Sequence, residues 1–176
     1  MDTKELNKIE RDREDKLNKL KEAGFNYPND FNKAEDIGDI VQAHGGLSKE
    51  DLEKAAIQVS TAGRIILKRE MGKVVFMTIE DTSGSVQGYF SKNNFDDEIE
   101  NIKTLDVGDI VGVSGQLFRT RTDELTIEAK HYQLLTKSLK PMPDKHKGLQ
   151  DIETIYRQRY IDLMSNKDSR DTFIKR

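Results

Sequence analysis

Lys73-Val-Val-Phe-Met-Thr-Ile-Glu-Asp81 and Ser85-Val-Gln-Gly-Tyr-Phe90, joined through Thr82-Ser-Gly84, decide how this chain is read. Val75, Met77 and Ile79 recur at every second residue, the period of a strand with one buried face. Val86, Gly88 and Phe90 repeat that period after a short Asp/Ser/Gly turn, so the two segments read as a hairpin. With Ile79 paired to Val86, Phe76 falls opposite Tyr89 and diagonal to Gln87 on the outer face. A ring beside an amide on a face expected to be polar suits an unstacked base: the ring offers its π-face, the amide one donor and one acceptor to the base edge. The same phase also fits a ring packed beneath a loop and an ordinary solvated glutamine.

Working outward from the hairpin, Gln58 to Arg69 reads as a first strand, Lys73 to Glu80 as the second and Ser85 to Phe90 as the third. Asn94 to Lys103 has helical spacing of Phe95, Ile99 and Ile102, and Asp106-Val-Gly-Asp109 follows as a turn. Strand four, Ile110 to Thr120, alternates Val111, Val113, Gly115 and Leu117; strand five, Glu124 to Leu135, opens with Leu125, Ile127 and Ala129. Five strands with a helix between the third and fourth are the order of an OB-fold barrel, here expected over residues 57–138. Gly63, Gly88, Gly112 and Gly115 lie inside strands, where glycine weakens pairing and permits the bends and bulges of a small barrel.

Helices are expected on both sides of the barrel. Residues 1–56 read as a helical extension: a surface helix from Thr3 to Ala23 with Leu6, Ile9, Leu17 and Leu20 as its thin apolar stripe and Gly24 as its stop, a weak helix from Lys33 to Ala43, and a short one capped by Ser48 with Asp51 three residues on, ending near Ala56. Packing against the barrel is the expected role of all three. Residues 139–176 open on Lys140-Pro-Met-Pro143, a linker, and continue into a helix from Asp151 to Ser165 with Ile152, Ile155, Tyr156, Tyr160 and Leu163 on one face. A further helical pattern, Asp168 to Arg176, stops in mid-helix, so the sequence reads as a piece cut from a longer chain.

Composition narrows the function classes. Of 176 residues 35% are hydrophobic and 35% charged, which supports one modest core with solvated helical ends. The absence of cysteine removes disulfides and thiolate metal sites and suits a reducing cytoplasm. His44, His131 and His146 have no metal-ligand spacing. Neither a membrane-length apolar run nor a signal-peptide core is present, so a soluble cytoplasmic protein is expected. The net charge of -3 argues against a general nucleic-acid coat, but its distribution is uneven. Residues 1–58 carry 10 basic and 14 acidic side chains, residues 139–176 carry 9 and 6. Arg64, Lys68, Arg69 and Lys73 gather near the first turn, and Arg119 and Arg121 near a later one. Such clusters could hold a few phosphates, or serve only solubility at strand ends.

Gly63-Arg-Ile-Ile-Leu-Lys-Arg69, Met71-Gly-Lys73, Gln87, Leu105-Asp-Val-Gly-Asp-Ile110, Gly115-Gln-Leu-Phe-Arg-Thr-Arg-Thr122 and Leu135-Thr-Lys-Ser-Leu-Lys-Pro-Met-Pro143 together resemble the N-terminal part of bacterial class II lysine–tRNA synthetases. Most specific is Lys147-Gly-Leu-Gln-Asp151 running into Tyr156-Arg-Gln-Arg-Tyr-Ile-Asp-Leu163. The aspartate and asparagine enzymes share the barrel and a similar Arg-Tyr-x-Asp-Leu ending without that longer spacing. The resemblance implies a barrel that binds the anticodon loop of lysine tRNA, with Phe76 as the stacking ring for the middle base and Gln87 as the amide that reads its edge. It carries over Arg69 as a base or phosphate contact and Glu124 as a contact to a flanking base. Strand phase and charge add Tyr89 and Lys68 to the same surface. Many relatives have Arg or Lys where this chain has Ser85, which removes one expected backbone contact.

The resemblance also implies an intact homodimeric enzyme that activates lysine with ATP and Mg and esterifies the tRNA. The catalytic motifs of such enzymes lie outside these residues, so this piece is expected to bind without catalysing and to hold no cofactor or metal of its own. No Gly-rich phosphate loop, nucleophile elbow or HExxH motif substitutes for them. Two other classes stay open: a sequence-tolerant single-strand binder, which would favour several exposed rings and a continuous basic groove, and a barrel whose outer face docks a protein.

Overall fold

The computed structural model describes residues 3–143, 149 and 151–176, giving backbone alone for 3–7 and 97. Lys147, Gly148 and Gln150 of the specific C-terminal motif, and His146, lie outside the described residues. The chain forms two compact units that divide between Leu139 and Lys140.

In the first unit, β1 (Gln58–Met71), β2 (Val74–Glu80), β3 (Ser85–Ser91), β4 (Ile110–Arg119) and β5 (Leu125–Thr136) close into a barrel in the order β1-β2-β3-β5-β4. The β3–β5 pairing is parallel and the others antiparallel, which makes this a five-stranded OB barrel. The alternation expected from the sequence is what closes the core: Val75, Met77, Ile79, Phe90, Val113, Leu117 and Ile127 are all fully buried inside. Two glycines meet local demands. Gly72 turns β1 into β2 at φ +63, and a Cβ on Gly115 would lie 2.0 Å from the carbonyl oxygen of Glu128, where the β4–β5 register shifts.

Three helices precede the barrel: α1 (Thr3–Glu22), α2 (Ile37–His44) and α3 (Lys49–Ala55). Gly24 ends the α1 segment at φ +97, as its position suggests. Ser48 caps α3, its Oγ accepting from Asp51 N at 3.1 Å. Ile37, Ile40 and Leu52 join the same apolar cluster as the barrel interior. The helix expected from Lys33 begins only at Ile37. Residues 34 and 35 are drawn instead to β1, donating their N–H groups to Ser60 O, while Thr61 donates to Glu35 O. Pairing with a strand here outweighs a weak helical pattern.

Between β3 and β4, the expected single helix is broken into α4 (Lys92–Phe95), a 3-10 turn (Asp96–Glu98) and α5 (Ile99–Thr104). Asp96 sits at φ +32, ψ -105, outside both helical regions, which breaks the helical path at that residue. The interruption keeps Phe95, Ile99 and Ile102 buried, with Phe95 against Phe90 and Tyr132 at ring separations of 5.9 and 5.5 Å.

An ionic cluster fastens α1 to the barrel end. Lys137 Nζ lies 3.0 and 2.8 Å from the oxygens of fully buried Asp109 and also meets Asp106, which Lys16 of α1 contacts at 3.0 Å. Arg13 donates to the carbonyls of Ser138 and Val107, both at 3.1 Å.

In the second unit, α6 (Ile152–Arg157) and α7 (Arg159–Ser165) replace the continuous helix expected from Asp151 to Ser165. Gln158 leaves helical geometry at φ -119, ψ 53. α8 (Lys167–Ile174) follows, capped by Asn166. Among the described residues no helix is long and apolar enough to cross a membrane.

Candidate nucleic-acid interface

The inward alternation of β2 and β3 fixes what faces out. Val75, Met77 and Ile79 point in, so Phe76 and Thr78 point out; Val86 and Phe90 point in, so Gln87 and Tyr89 point out. The register pairs Ile79 with Val86, Phe76 with Tyr89 and Thr78 with Gln87. Arg69 of β1 lies opposite Phe76, and Glu128 of β5 opposite Tyr89. One row across four strands therefore reads Arg69, Phe76, Tyr89, Glu128. The rings of Phe76 and Tyr89 are 5.3 Å apart at 60°, an edge-to-face contact of two half-buried side chains.

Gln87 departs from the expected exposure, being only 5% accessible on its outward face. Its Nε2 donates to Glu124 Oε2 at 2.6 Å and its Oε1 accepts from Thr126 Oγ1 at 3.2 Å. Glu124, immediately before β5, is exposed and carries the carboxylate that covers the amide. The main chain of Glu124 is held from Thr120: Thr120 N donates to Glu124 O at 3.1 Å, and Glu124 N donates to Thr120 Oγ1 at 3.2 Å.

Lys68 does not join this surface. A register shift between Ile65 and Leu67 pairs Lys68 with the inward-facing Met77 and turns Arg69 outward beside Phe76. The Lys68 ammonium instead donates to the carbonyls of Lys103 and Leu105 at the end of α5 and pairs with Glu70 at 2.8 Å. The expected phosphate-holding clusters are likewise thinned. Arg64 donates to Gly108 O at 2.8 Å, and Arg119 reaches the carbonyls of Leu47, Gly45 and Asp123, tying the segment before α3 to the barrel. Arg69, Lys73 and Arg121 are exposed, as is Ser85.

Phe118 of β4 and Thr126 of β5 belong to the same surface and were not singled out from the sequence. Phe118 lies opposite Thr126, and its ring stands 5.6 Å from that of Tyr89 at 74°, extending the aromatic row to three. The signal was available, since Leu117 points inward and its neighbour must point out. The face is mixed in charge: Arg69 lies at one side, Glu124 and Glu128 at the other. The Lys130 ammonium at 2.8 Å, with Asn94, holds Glu128 below the usual carboxylate range against the opposing effect of burial. Such a face can stack one or more bases and present a directed amide, but it is not a continuous basic groove. Among the described residues no group of three His, Cys, Asp or Glu side chains converges as a metal site.

Residues 59–135 match the family model of the tRNA anti-codon type, described as an OB-fold nucleic acid binding domain. The chain is 49% identical over 164 residues to a lysine–tRNA ligase of Legionella pneumophila, covering 93% of this chain and 33% of that protein. It is 47% identical over 165 residues to the lysine–tRNA ligases of Neisseria gonorrhoeae and of Neisseria meningitidis serogroup B, with the same coverage of each. Residues 59–135 are thus similar to the OB-fold nucleic acid binding domain, within a chain that spans about one third of the length of the lysine–tRNA ligases it matches.

Proposed function

We propose that the outer face of β1, β2, β3 and β5 binds the anticodon loop of lysine tRNA, with Phe76 stacking on the middle base, Gln87 reading its edge, Arg69 contacting a base or phosphate and Glu124 lying toward a flanking base. The observation that carries this reading is the alignment of Arg69, Phe76 and Tyr89 across three strands beside a glutamine amide whose two ends are already held. The similarity to lysine–tRNA ligases over 93% of the chain supports lysine tRNA as the partner. On this reading residues 1–56 form a helical extension to the barrel, and residues 139–176 begin a class II catalytic domain. The longer protein is cytoplasmic and homodimeric and joins lysine to its tRNA with ATP and Mg; these 176 residues bind without supporting lysine-dependent ATP–pyrophosphate exchange.

A second reading, sequence-tolerant binding of single strands, is favoured by the row of three rings, Phe76, Tyr89 and Phe118. Titrating labelled anticodon stem-loops of lysine and aspartate tRNA over a range of salt separates the two. Anticodon recognition predicts tighter binding of the lysine loop and a shallow salt slope, about two to four released counterions. Equal binding of both loops with a steep slope supports the sequence-tolerant groove and overturns the proposal.

A further inference from the structure

We infer that Glu124 is a positioning residue: its carboxylate fixes which way round the Gln87 amide is presented and thereby makes the site select uridine over cytidine. The inference rests on the proposed role of Gln87 as the residue that reads the base edge. A glutamine amide turned by 180° fills the same volume with its donor and acceptor exchanged, so its orientation is set by its partners alone. Glu124 Oε2 lies 2.6 Å from one end of the amide, and a carboxylate only accepts, so the NH2 group must face it.

Thr126 holds the other end at 3.2 Å, but a hydroxyl donates or accepts and would satisfy either orientation. Thr126 Oγ1 also lies 3.0 Å from Glu124 O, which gives that hydroxyl a second acceptor if the amide turns. Direction therefore comes from the carboxylate. With both ends held, Gln87 keeps one N–H and one oxygen lone pair free, in a fixed order. Uracil presents its O4 acceptor beside its N3–H donor, whereas cytosine presents its N4 amino donor beside its N3 acceptor, the reverse order. An amide held one way matches one of these bases, and the turned amide matches the other.

The test is binding of lysine anticodon stem-loops carrying uridine or cytidine at the middle position to the full 176-residue chain and its Glu124→Gln variant. A neutral amide at position 124 can face Gln87 by either end, so the uridine-to-cytidine ratio is expected to fall by about tenfold or more, the worth of one charge-assisted hydrogen bond. Thr126→Val is expected to keep the ratio within about threefold, and Glu124→Ala to lose it as Glu124→Gln does, with unchanged melting. Equal weakening of both loops with the ratio preserved overturns the inference, as does a change confined to preference at a flanking base. Wild-type protein that does not distinguish the two loops overturns the reading of Gln87 itself, and the positioning role with it; wild-type discrimination that survives Glu124→Gln overturns the positioning role alone.

Discussion

Replacing Lys137 by Met probes the ionic cluster that holds α1 and the β5 end together. The Lys137 side chain is 1% exposed and that of Asp109 is fully buried. The ammonium lies 3.0 and 2.8 Å from the two Asp109 oxygens, while Asp109 also accepts from the N–H groups of Asp106 and Ser138, each at 2.8 Å. Methionine nearly fills the lysine volume, so the loss is chiefly electrostatic: a buried carboxylate keeps two amide donors but loses its counter-ion. Breaking one side of a buried pair costs about 3–5 kcal/mol. For a domain of this size that lowers the thermal midpoint by roughly 6–20 °C. Urea unfolding followed by circular dichroism measures the change directly. Lys137→Met with Asp109→Asn removes both charges and is expected to recover at least about 1 kcal/mol of the loss. A single variant within about 1 kcal/mol of the parent, or a double variant no better than the single, would refute the reasoning.

Lys68 and Arg69 are adjacent in sequence and are expected to separate in function. Lys68→Met, which removes the donor to the carbonyls of Lys103 and Leu105, should cost about 1–2 kcal/mol of stability and leave stem-loop binding unchanged. Arg69→Ala should leave the melt unchanged, weaken binding and reduce the logarithmic salt slope by about 0.7; the reverse pattern at the two positions contradicts the bulge-shifted phase. Acid sensitivity follows from Asp81 and Asp106. Burial would raise both carboxyls, but at Asp81 the Ile37 N–H, Ser83 and Lys33 hold the group well below the usual range, and Lys137 and Lys16 lower Asp106. A carboxyl lowered in the folded state contributes stability above its unfolded value near 4 and loses it as the pH falls below that value. The melting difference between the parent and Asp81→Asn should therefore be largest at neutral pH and narrow below about pH 4; a difference that widens toward acid contradicts the assignment.

The hairpin was legible because its two strands alternate cleanly: Val75, Met77 and Ile79 against Val86, Gly88 and Phe90 leave one phase open to Phe76, Gln87 and Tyr89. β1 was not legible to the same depth, since Ile65-Ile66-Leu67 places three apolar residues in succession across the register shift, and alternation cannot be followed through them. Counting by twos from Ile65 sends Lys68 outward and Arg69 inward, the opposite of what the bulge produces. The covering of Gln87 depends on Glu124 and Thr126, which are 37 and 39 residues away and reach it only because β5 joins β3 in parallel. Helix continuity was over-read at Asp96 and Gln158, where the apolar spacing persists through a backbone break. Lys33 to Asp36 show the converse, a weak local preference overridden by hydrogen bonds to a strand edge.

Binding of lysine anticodon stem-loops with uridine or cytidine at the middle position, compared between the parent, Phe76→Ala and Gln87→Ala, tests the central claim most directly. Phe76→Ala is expected to weaken every loop by about 1–3 kcal/mol through lost stacking. Gln87→Ala is expected mainly to erode the preference for uridine, because only the hydrogen-bonded edge distinguishes the two bases. Phe76→Ala should melt close to the parent, since its half-buried ring lies outside the barrel interior, whereas Gln87→Ala, which removes the hydrogen bonds to Glu124 and buried Thr126, should cost about 1–3 kcal/mol and still fold. A collapsed melt for Phe76→Ala together with an intact uridine preference in Gln87→Ala would contradict the account and put the recognition face elsewhere on the protein.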